Sequence, residues 1–227
     1  MVLLPTTYYL TEAVLVTYNQ SMKRANKRNE LIQVGKEIVV QQGFKATSLN
    51  DILSTAGIPK GSFYYYFSSK EDFGLAIVDD FAREYRDKLE TFLKDERYSP
   101  LTRLRNYFEF KIADMEANCC NDGCLIGNLA QELSTQNEVF RDRLEQVFAE
   151  WEQYFIQCLN EASEIGEIKN YKPQGMALLD DFNTLAKFIL SSWEGAILQA
   201  KVTKSVLPMQ TFVQILFEQI FNISDFD

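Results

Sequence analysis

The segment TSLNDILSTAGIPKGSFYYYFSSKE, residues 47–71, decides how the fold begins. Thr47 and Ser48 are residue types that cap helix N-termini, and the apolar spacing after them predicts a short helix that ends near Gly57. A second short helix opens at Lys60-Gly61-Ser62, after a turn of a few residues. Two short helices joined by a turn that contains glycine are typical of a helix-turn-helix.

Five consecutive aromatic residues, Phe63 to Phe67, lie in the second of these helices. Phe63 and Phe67 are four residues apart, so they share one face and can enter a core. Successive helical residues are about 100° apart, so Tyr65 points nearly opposite to that face, with Tyr64 and Tyr66 on either side. We therefore expect phenol hydroxyls to meet a polar partner outside the domain, although Tyr66 is close enough to Phe63 to be partly core.

The rest of the chain also has helical periodicity, and we find no convincing strand, so the predicted fold class is all-α. A long helix is predicted from Lys70 to about Lys94. The last two helices, in residues 175–202 and 208–221, are apolar on more than one face. Such helices are central in a fold or buried against another subunit. We predict a homodimer through these two helices, and a single internal core is the alternative.

The chain has 227 residues, no histidine and four cysteines. The lack of histidine removes Ser–His and Cys–His nucleophile pairs and His-ligated zinc, which argues against an enzyme. Four cysteines are too few for a disulfide-stapled secreted fold of this size, so we expect the reducing cytoplasm. No apolar run reaches the roughly 20 residues of a membrane span. We predict no cofactor and no membrane partner.

The net charge of −9 is unevenly distributed along the chain. Residues 1–70 contain eight Lys/Arg and four Asp/Glu, whereas the remaining residues contain 15 and 28. An acidic protein of this kind can still bind nucleic acid with its basic end. Residues 1–21 do not have the order of a signal peptide, because their basic cluster follows the apolar part. They are either an extension ahead of a true start at Met22 or a short ordered arm.

At motif level, residues 27–76 resemble the TetR family of bacterial transcription regulators. The resemblance rests on Thr47, Gly57, Gly61, Phe63, Tyr64, Phe67, Lys70 and Glu71 at their observed spacings. It implies an N-terminal extension (1–22), a helix-turn-helix domain (23–70) and a helical domain for effector binding and dimerisation (71–227). It also implies repression that a small molecule relieves.

Under this resemblance the partner is double-stranded DNA with a palindromic operator, read by two recognition helices about 34 Å apart. Phe63 and Phe67 hold the recognition helix, and the tyrosines face the DNA. Many family members carry histidine where Tyr66 stands. The predicted DNA contacts are Thr47, Ser48, Lys60, Gly61, Ser62, Tyr64, Tyr65, Tyr66 and Lys70.

The segment CCNDGCLIGNLAQEL, residues 119–133, is the second informative stretch. Cys124 follows a turn and enters the first turn of a helix, where the helix dipole favours the thiolate, although Asp122 opposes this. Cys119 and Cys120 are close enough to act as resolving thiols. "GCL" and "GAILQAK" resemble the subgroup of these regulators that senses N-ethylmaleimide. That resemblance implies that Cys124 is an electrophile sensor and that Lys201 is its neighbour.

Other interpretations of the C-terminal half stay open. An effector that binds non-covalently in an apolar pocket is the main alternative, and the predicted pocket residues are Phe108, Trp151, Phe155, Cys158 and Trp193. Cys158 lies on an apolar stripe, as an inert thiol would. A tetrathiolate metal site is disfavoured because paired CxxC spacings are lacking. A helical thiol enzyme and a helical adaptor are rivals from other classes, but both leave the basic aromatic helix unexplained.

Overall fold

The computed structural model describes residues 12–168 and 181–223, and throughout these ranges the regular structure is helical, which confirms the all-α prediction. The helices are α1 (Glu12–Gln42), α2 (Leu49–Thr55), α3 (Phe63–Tyr66), α4 (Lys70–Leu93), α5 (Pro100–Ala117), α6 (Leu125–Leu133), α7 (Glu138–Glu164), α8 (Phe182–Thr203) and α9 (Leu207–Gln214). A 3₁₀ turn, Lys60–Ser62, leads into α3, and a π-helical turn, Ile215–Ile220, extends α9. None of the described helices is long and apolar enough to cross a membrane.

Helices α1, α2 and α3 form an N-terminal unit around a small apolar core. Ser48 caps α2 by accepting a hydrogen bond from the Asp51 amide, and α2 ends at a turn in which Gly57 has φ +62°. A glycine tolerates this left-handed conformation at little cost. The turn brings α3 back against α1, so the predicted helix-turn-helix is present.

Helix α1 is longer than the sequence pattern suggested. It runs from Glu12 to Gln42, so the predicted boundary between residues 22 and 23 falls inside it. The sequence allows this because residues 12–34 contain neither proline nor glycine. The apolar periodicity that we used to find the helix begins only at Leu31, where α1 starts to pack on the core.

Helices α4 to α9 form a larger C-terminal unit with an aromatic core. The Phe108 ring lies 4.6 Å from the Trp193 ring and 5.9 Å from the Phe155 ring. The Trp151 ring stacks on Tyr85 at 3.9 Å. These rings fill the space between α4, α5, α7 and α8, and their burial is a main source of stability for this unit.

Helices α8 and α9 bury one face in this core and expose apolar side chains on the other. The outward-facing large apolar residues are Phe188, Leu198, Val202, Leu207 and Ile215. No atom lies within 4 Å of the position that a Cβ atom on Gly195 would occupy, so the surface of α8 is open there. The first of the two predicted helices began at residue 175, and its first part, with Leu178 and Leu179, lies outside the described residues.

Polar side chains connect the two units on opposite sides of α4. Lys36 of α1 reaches Asp80 at 3.0 Å and Glu84 at 2.7 Å, both on α4. On the other side, the Glu132 carboxylate of α6 accepts hydrogen bonds from the backbone amides that follow Gly43. The orientation of the N-terminal unit is therefore set by α6 as well as by α4.

Candidate nucleic-acid interface and effector site

The recognition segment, residues 60–67, is fixed by its two phenylalanines. Phe63 and Phe67 are each 1% exposed. Their rings lie 5.7 Å and 4.8 Å from the ring of Phe73 on α4. This packing is the role that their four-residue spacing predicted, and it decides which side chains point outward.

Two of the three tyrosines face solvent. Tyr64 is 68% exposed and Tyr65 is 58% exposed, whereas Tyr66 is half-buried and packs against the core. At the start of the segment, Lys60 and Gly61 are exposed and Ser62 is half-buried. Ser48, at the start of α2, is also exposed. The exposed side chains among them offer hydroxyl, cationic and aromatic groups of the kinds that contact phosphates and base edges.

Thr47 is buried and Lys70 is half-buried, and both side chains donate to carbonyls of the turn after α1. Thr47 is 1% exposed, and its hydroxyl donates to the Gly43 carbonyl at 2.6 Å. The Lys70 Nζ donates to the Phe44 carbonyl at 2.8 Å and lies 4.7 Å from the centre of the Phe44 ring. Burial lowers the pKa of Lys70. Our assignment of these side chains to the DNA surface is corrected: both stabilise the turn after α1.

Sequence reasoning missed two arginines beside the recognition segment. The Arg24 guanidinium lies 4.3 Å from the centre of the Tyr65 ring and donates to the Tyr65 carbonyl at 2.9 Å. Arg28 lies 4.8 Å over the Phe67 ring. The signal was the run of residues 22–28, MKRANKR, with four cations and no acid. The predicted helix-turn-helix domain (23–70) includes both arginines, but no helical periodicity placed them near α3, so they are absent from the predicted DNA contacts.

The cysteine loop, residues 118–124, joins α5 to α6. Cys119 is exposed, Cys120 and Cys124 are buried, and Cys119 and Cys120 both have left-handed backbone, with φ of 52° and 53°. Two lysines at the end of α8 donate hydrogen bonds to backbone carbonyls of the cysteine loop. Lys201 donates to the Asp122 carbonyl at 3.2 Å, and Lys204 donates to the Cys120 carbonyl at 3.3 Å. Lys201 therefore lies over the loop that carries Cys124.

Cys124 is the N-cap residue of α6. Its sulfur accepts a hydrogen bond from the Gly127 amide at 3.5 Å, but the residue is only 7% exposed. Burial, and then the negative charge of Glu194, raise the pKa of the Cys124 thiol well above its usual range. The amides of Ile126 and Gly127 at the start of α6 act in the predicted direction and lower the pKa of Cys124, but burial and Glu194 outweigh them.

Glu194 of α8 is the third residue that sequence reasoning missed. Its Oε2 atom lies 2.5 Å, and the Cβ atom of Cys124 lies 3.7 Å, from the position that a Cβ atom on Gly127 would occupy. A larger residue at position 127 would displace this carboxylate from its place beside Cys124. The stem of Glu194 is partly exposed, but its Oε1 atom is enclosed without a hydrogen-bond partner. Burial raises the pKa of Glu194 to about 7.

A cavity of about 330 Å³ lies at the junction of the two units. Its lining residues include Lys36 and Val40 of α1, Tyr85 of α4, Lys111 and Met115 of α5, Gly123 of the cysteine loop, and Ile197 of α8. Tyr85 forms its inner wall, and the Tyr107 hydroxyl donates to the Tyr85 hydroxyl behind that wall. The charge of Lys111 reaches Glu194 and opposes the rise in its pKa. Gly123 of the cavity wall directly precedes Cys124 in the chain, and Lys111 of the wall interacts with Glu194.

The predicted pocket residues do not line this cavity. Phe108, Trp151, Phe155 and Trp193 are fully buried and pack against other aromatic rings. Cys158 is buried, its thiol donates to the Pro100 carbonyl at 3.1 Å, and burial raises its pKa to about 12. We assigned these residues to a pocket because they are large and apolar, but that is equally the pattern of a closed core. Within residues 12–168 and 181–223, no group of three or more potential ligands could hold a metal ion.

Comparison with known proteins gives matches to both units. A family model described as "Bacterial regulatory proteins, tetR family" matches residues 31–77, and a second, "Tetracyclin repressor-like, C-terminal domain", matches residues 100–216. The chain is 34% identical to the HTH-type transcriptional repressor DhaR of Mycobacterium sp. (strain GP1), over 90% of this chain and 99% of that protein.

Two solved structures have the same architecture over most of their length. The crystal structure of regulatory protein TetR from Rhodobacter sphaeroides has a TM-score of 0.74 and 33% identity, over 82% of this chain and 94% of that one. The reduced form of E. coli NemR has a TM-score of 0.73 and 26% identity, over 86% and 97% of the two chains.

Proposed function

Because the chain belongs to the TetR family of bacterial transcription regulators, and is not an enzyme, we propose that it is a homodimeric repressor of a palindromic operator. A small molecule that acts on the C-terminal unit releases it from DNA. The observation that carries this proposal is the recognition segment, in which two buried phenylalanines hold two exposed tyrosines outward beside basic residues.

The proposed DNA surface consists of Ser48, Lys60, Gly61, Ser62, Tyr64 and Tyr65, with Tyr66 at its edge and Arg24 and Arg28 beside it. A phenol hydroxyl can donate to a phosphate, and its ring can pack on a sugar or a thymine methyl group. Lys60 and the arginines supply the positive charge that makes binding sensitive to salt. The side chains of Thr47 and Lys70 are left out because both serve the turn after α1.

The proposed dimer contact is the outward face of α8 and α9. Phe188, Leu198 and Ile215 expose apolar surface there, and the open space above Gly195 admits a partner helix. A second copy of the chain is the occupant that this face fits, because the symmetric contact also sets the spacing of two recognition segments. Two-fold symmetry of the dimer then requires a palindromic operator.

The proposed effector site is the junction cavity together with Cys124. The cavity touches α1 of the N-terminal unit as well as α4, α5 and α8, so a molecule bound there can change how the units sit on each other. An electrophile small enough to enter could add to Cys124, which lies beside Gly123 of the cavity wall. The raised pKa of Cys124 favours the second candidate, a ligand that fills the cavity without a covalent bond.

We propose that release from DNA is a shift between two arrangements of the dimer. The effector must prefer the arrangement in which the recognition segments no longer match successive major grooves. Helix α4 begins directly after the recognition segment and runs beneath the cavity, so it is one connection between the two sites. A differential affinity of about 1–3 kcal/mol would weaken operator binding by about 5- to 150-fold.

The test is binding to the DNA immediately upstream of the protein's own gene, with and without N-ethylmaleimide, under otherwise reducing conditions. We expect tight, salt-sensitive binding that the reagent weakens. Cys124→Ser should keep the binding and lose the response. A Cys124→Ser variant that responds fully would refute the covalent mode and direct the search to ligands of the cavity. A protein that binds no DNA from this region would contradict the repressor proposal itself.

A further inference from the structure

Side chains of the C-terminal unit form hydrogen bonds with both the backbone amides and the backbone carbonyls of the turn between α1 and α2. Glu132 of α6 accepts from the Phe44 amide at 2.9 Å through Oε2 and from the Lys45 amide at 2.6 Å through Oε1. Lys70 donates to the Phe44 carbonyl at 2.8 Å. We call this arrangement of Glu132 and the two amides the clasp. Hydrogen bonds from backbone amides to a carboxylate are among the stronger ones in proteins.

The conformation of the turn fits the clasp. Gly43 has φ +85°, and a Cβ atom there would lie 3.1 Å from Glu132 Oε2, so a larger residue would crowd the carboxylate. The Phe44 ring packs on Phe140 of α7 at 5.2 Å. The turn is therefore seated on α6 and α7, and α4 is not its only support.

The clasp and the cysteine loop lie at opposite ends of the same short helix. Cys124 is the N-cap residue of α6, and Glu132 is in its last turn. Eight residues separate them, which is about 12 Å of helix. Leu125, Ile126, Leu129 and Leu133 bury one side of α6, so the helix moves as a unit when either end is displaced.

We infer that Glu132 is the residue that positions the helix-turn-helix on the C-terminal unit, and that α6 carries changes at Cys124 to the clasp. The second half of this inference rests on the proposed function. An adduct on Cys124 adds volume beside Glu194 and disturbs the N-cap hydrogen bond from Gly127. A shift of α6 by about 1 Å would lengthen both clasp hydrogen bonds beyond a useful distance.

The test begins with Glu132→Gln, which keeps the size of the side chain. A carboxamide offers one acceptor oxygen, and its NH₂ group would face the second amide, so the clasp loses at least one bond. We expect the Phe44 and Lys45 amides to exchange hydrogen at least about tenfold faster, with a melting temperature close to that of the wild type. We expect operator affinity to fall at least about fivefold, because the recognition segments are less well positioned.

Glu71→Gln is the matched control. Glu71 lies on the same side of the molecule and accepts a hydrogen bond from Asn137 of α7, but it does not bind the turn. It should leave both amides and the operator affinity unchanged. If Glu132→Gln leaves operator affinity at the wild-type value, or if Glu71→Gln lowers it equally, the positioning role is refuted.

N-ethylmaleimide tests the connection through α6. The operator affinity of each variant is measured before and after alkylation, with modification of Cys124 checked by mass spectrometry. We expect Glu132→Gln to lose most of the fold-change that alkylation produces in the wild type, and Glu71→Gln to keep it. A full response of Glu132→Gln would refute the connection through α6. If alkylated wild type binds as before, the covalent effector is refuted, and the affinity of unmodified Glu132→Gln alone decides the positioning role.

Discussion

Replacing Glu194 by glutamine should make Cys124 more reactive at and above neutral pH. The Glu194 carboxylate and the Cys124 side chain meet at Gly127, and the negative charge there raises the pKa of the thiol. As a general scale, Coulomb's law gives about 3 kcal/mol of repulsion for two like unit charges about 5 Å apart at an effective dielectric constant of about 20. Allowing for incomplete ionisation and screening, its removal should speed alkylation between about 10- and 100-fold.

The effect should depend on pH in a specific direction. Because the pKa of Glu194 is about 7, its carboxyl group is mostly neutral at pH 6 and mostly ionised at pH 8. The ratio of the rate constants of Glu194→Gln and wild type should therefore be small at pH 6 and should grow as the pH rises through 7.

The assay is the second-order rate constant for alkylation by iodoacetamide, with each cysteine resolved by fragmentation of its peptide. Exposed Cys119 in the same loop is the internal control, and its rate should not change between the two proteins. A slower reaction of Cys124 in Glu194→Gln would refute this reasoning. Such a result would mean that the Glu194 carboxylate accepts the proton of the Cys124 thiol and thereby promotes alkylation.

Four further predictions concern the stability effect of Glu194 and the roles of Lys60, Lys70 and Phe188. As the pH rises from 5 to 8, the melting temperature of Glu194→Gln should increase relative to that of wild type. The reason is that a buried carboxyl group with a raised pKa stabilises the wild-type fold at low pH and loses that contribution as the pH rises through 7. Lys60→Gln should weaken binding to all DNA sequences and reduce the slope of log affinity against log salt by about one phosphate contact. Lys70→Gln should instead lower the free energy of unfolding by about 1–3 kcal/mol, measured by urea denaturation, because the Phe44 carbonyl loses its charged donor. Phe188→Glu should shift the protein toward monomer in sedimentation experiments and weaken operator binding, whereas a variant that stays fully dimeric would contradict the contact proposed for α8 and α9.

Sequence patterns predicted the helix-turn-helix well because its signals are local. The Ser48 cap, the glycine turn and the four-residue spacing of Phe63 and Phe67 each act within a few residues. The same local reasoning failed for Thr47 and Lys70. Their residue types suit a DNA surface, but their partners, the Gly43 and Phe44 carbonyls, belong to a turn that only the tertiary structure brings close.

The proposed effector site was harder to predict because it depends on contacts between distant segments. Cys124 was predicted from its position after a turn. Burial is the main cause of its raised pKa, and the charge that raises the pKa further, Glu194, is 70 residues away on α8. A single acid inside an apolar helix was the one available signal, and it does not reveal its partner. Apolarity pointed to Phe108 and Trp193 as a pocket, but it cannot distinguish a wall of a cavity from a filled core.

The attachment of the cysteine loop to α8 bears on how steeply operator binding falls as the effector concentration rises. Lys201 and Lys204 hold the loop carbonyls, and the same helix carries Phe188 and Leu198 on its outer face. In a dimer built on that face, one helix touches both its own loop and the other subunit. A structural change in one cysteine loop is then transmitted through α8 to the other subunit. Binding of the first effector molecule therefore makes the second subunit more responsive to effector. The fraction of protein released from the operator would then rise more sharply with effector concentration than it would if the two sites were independent.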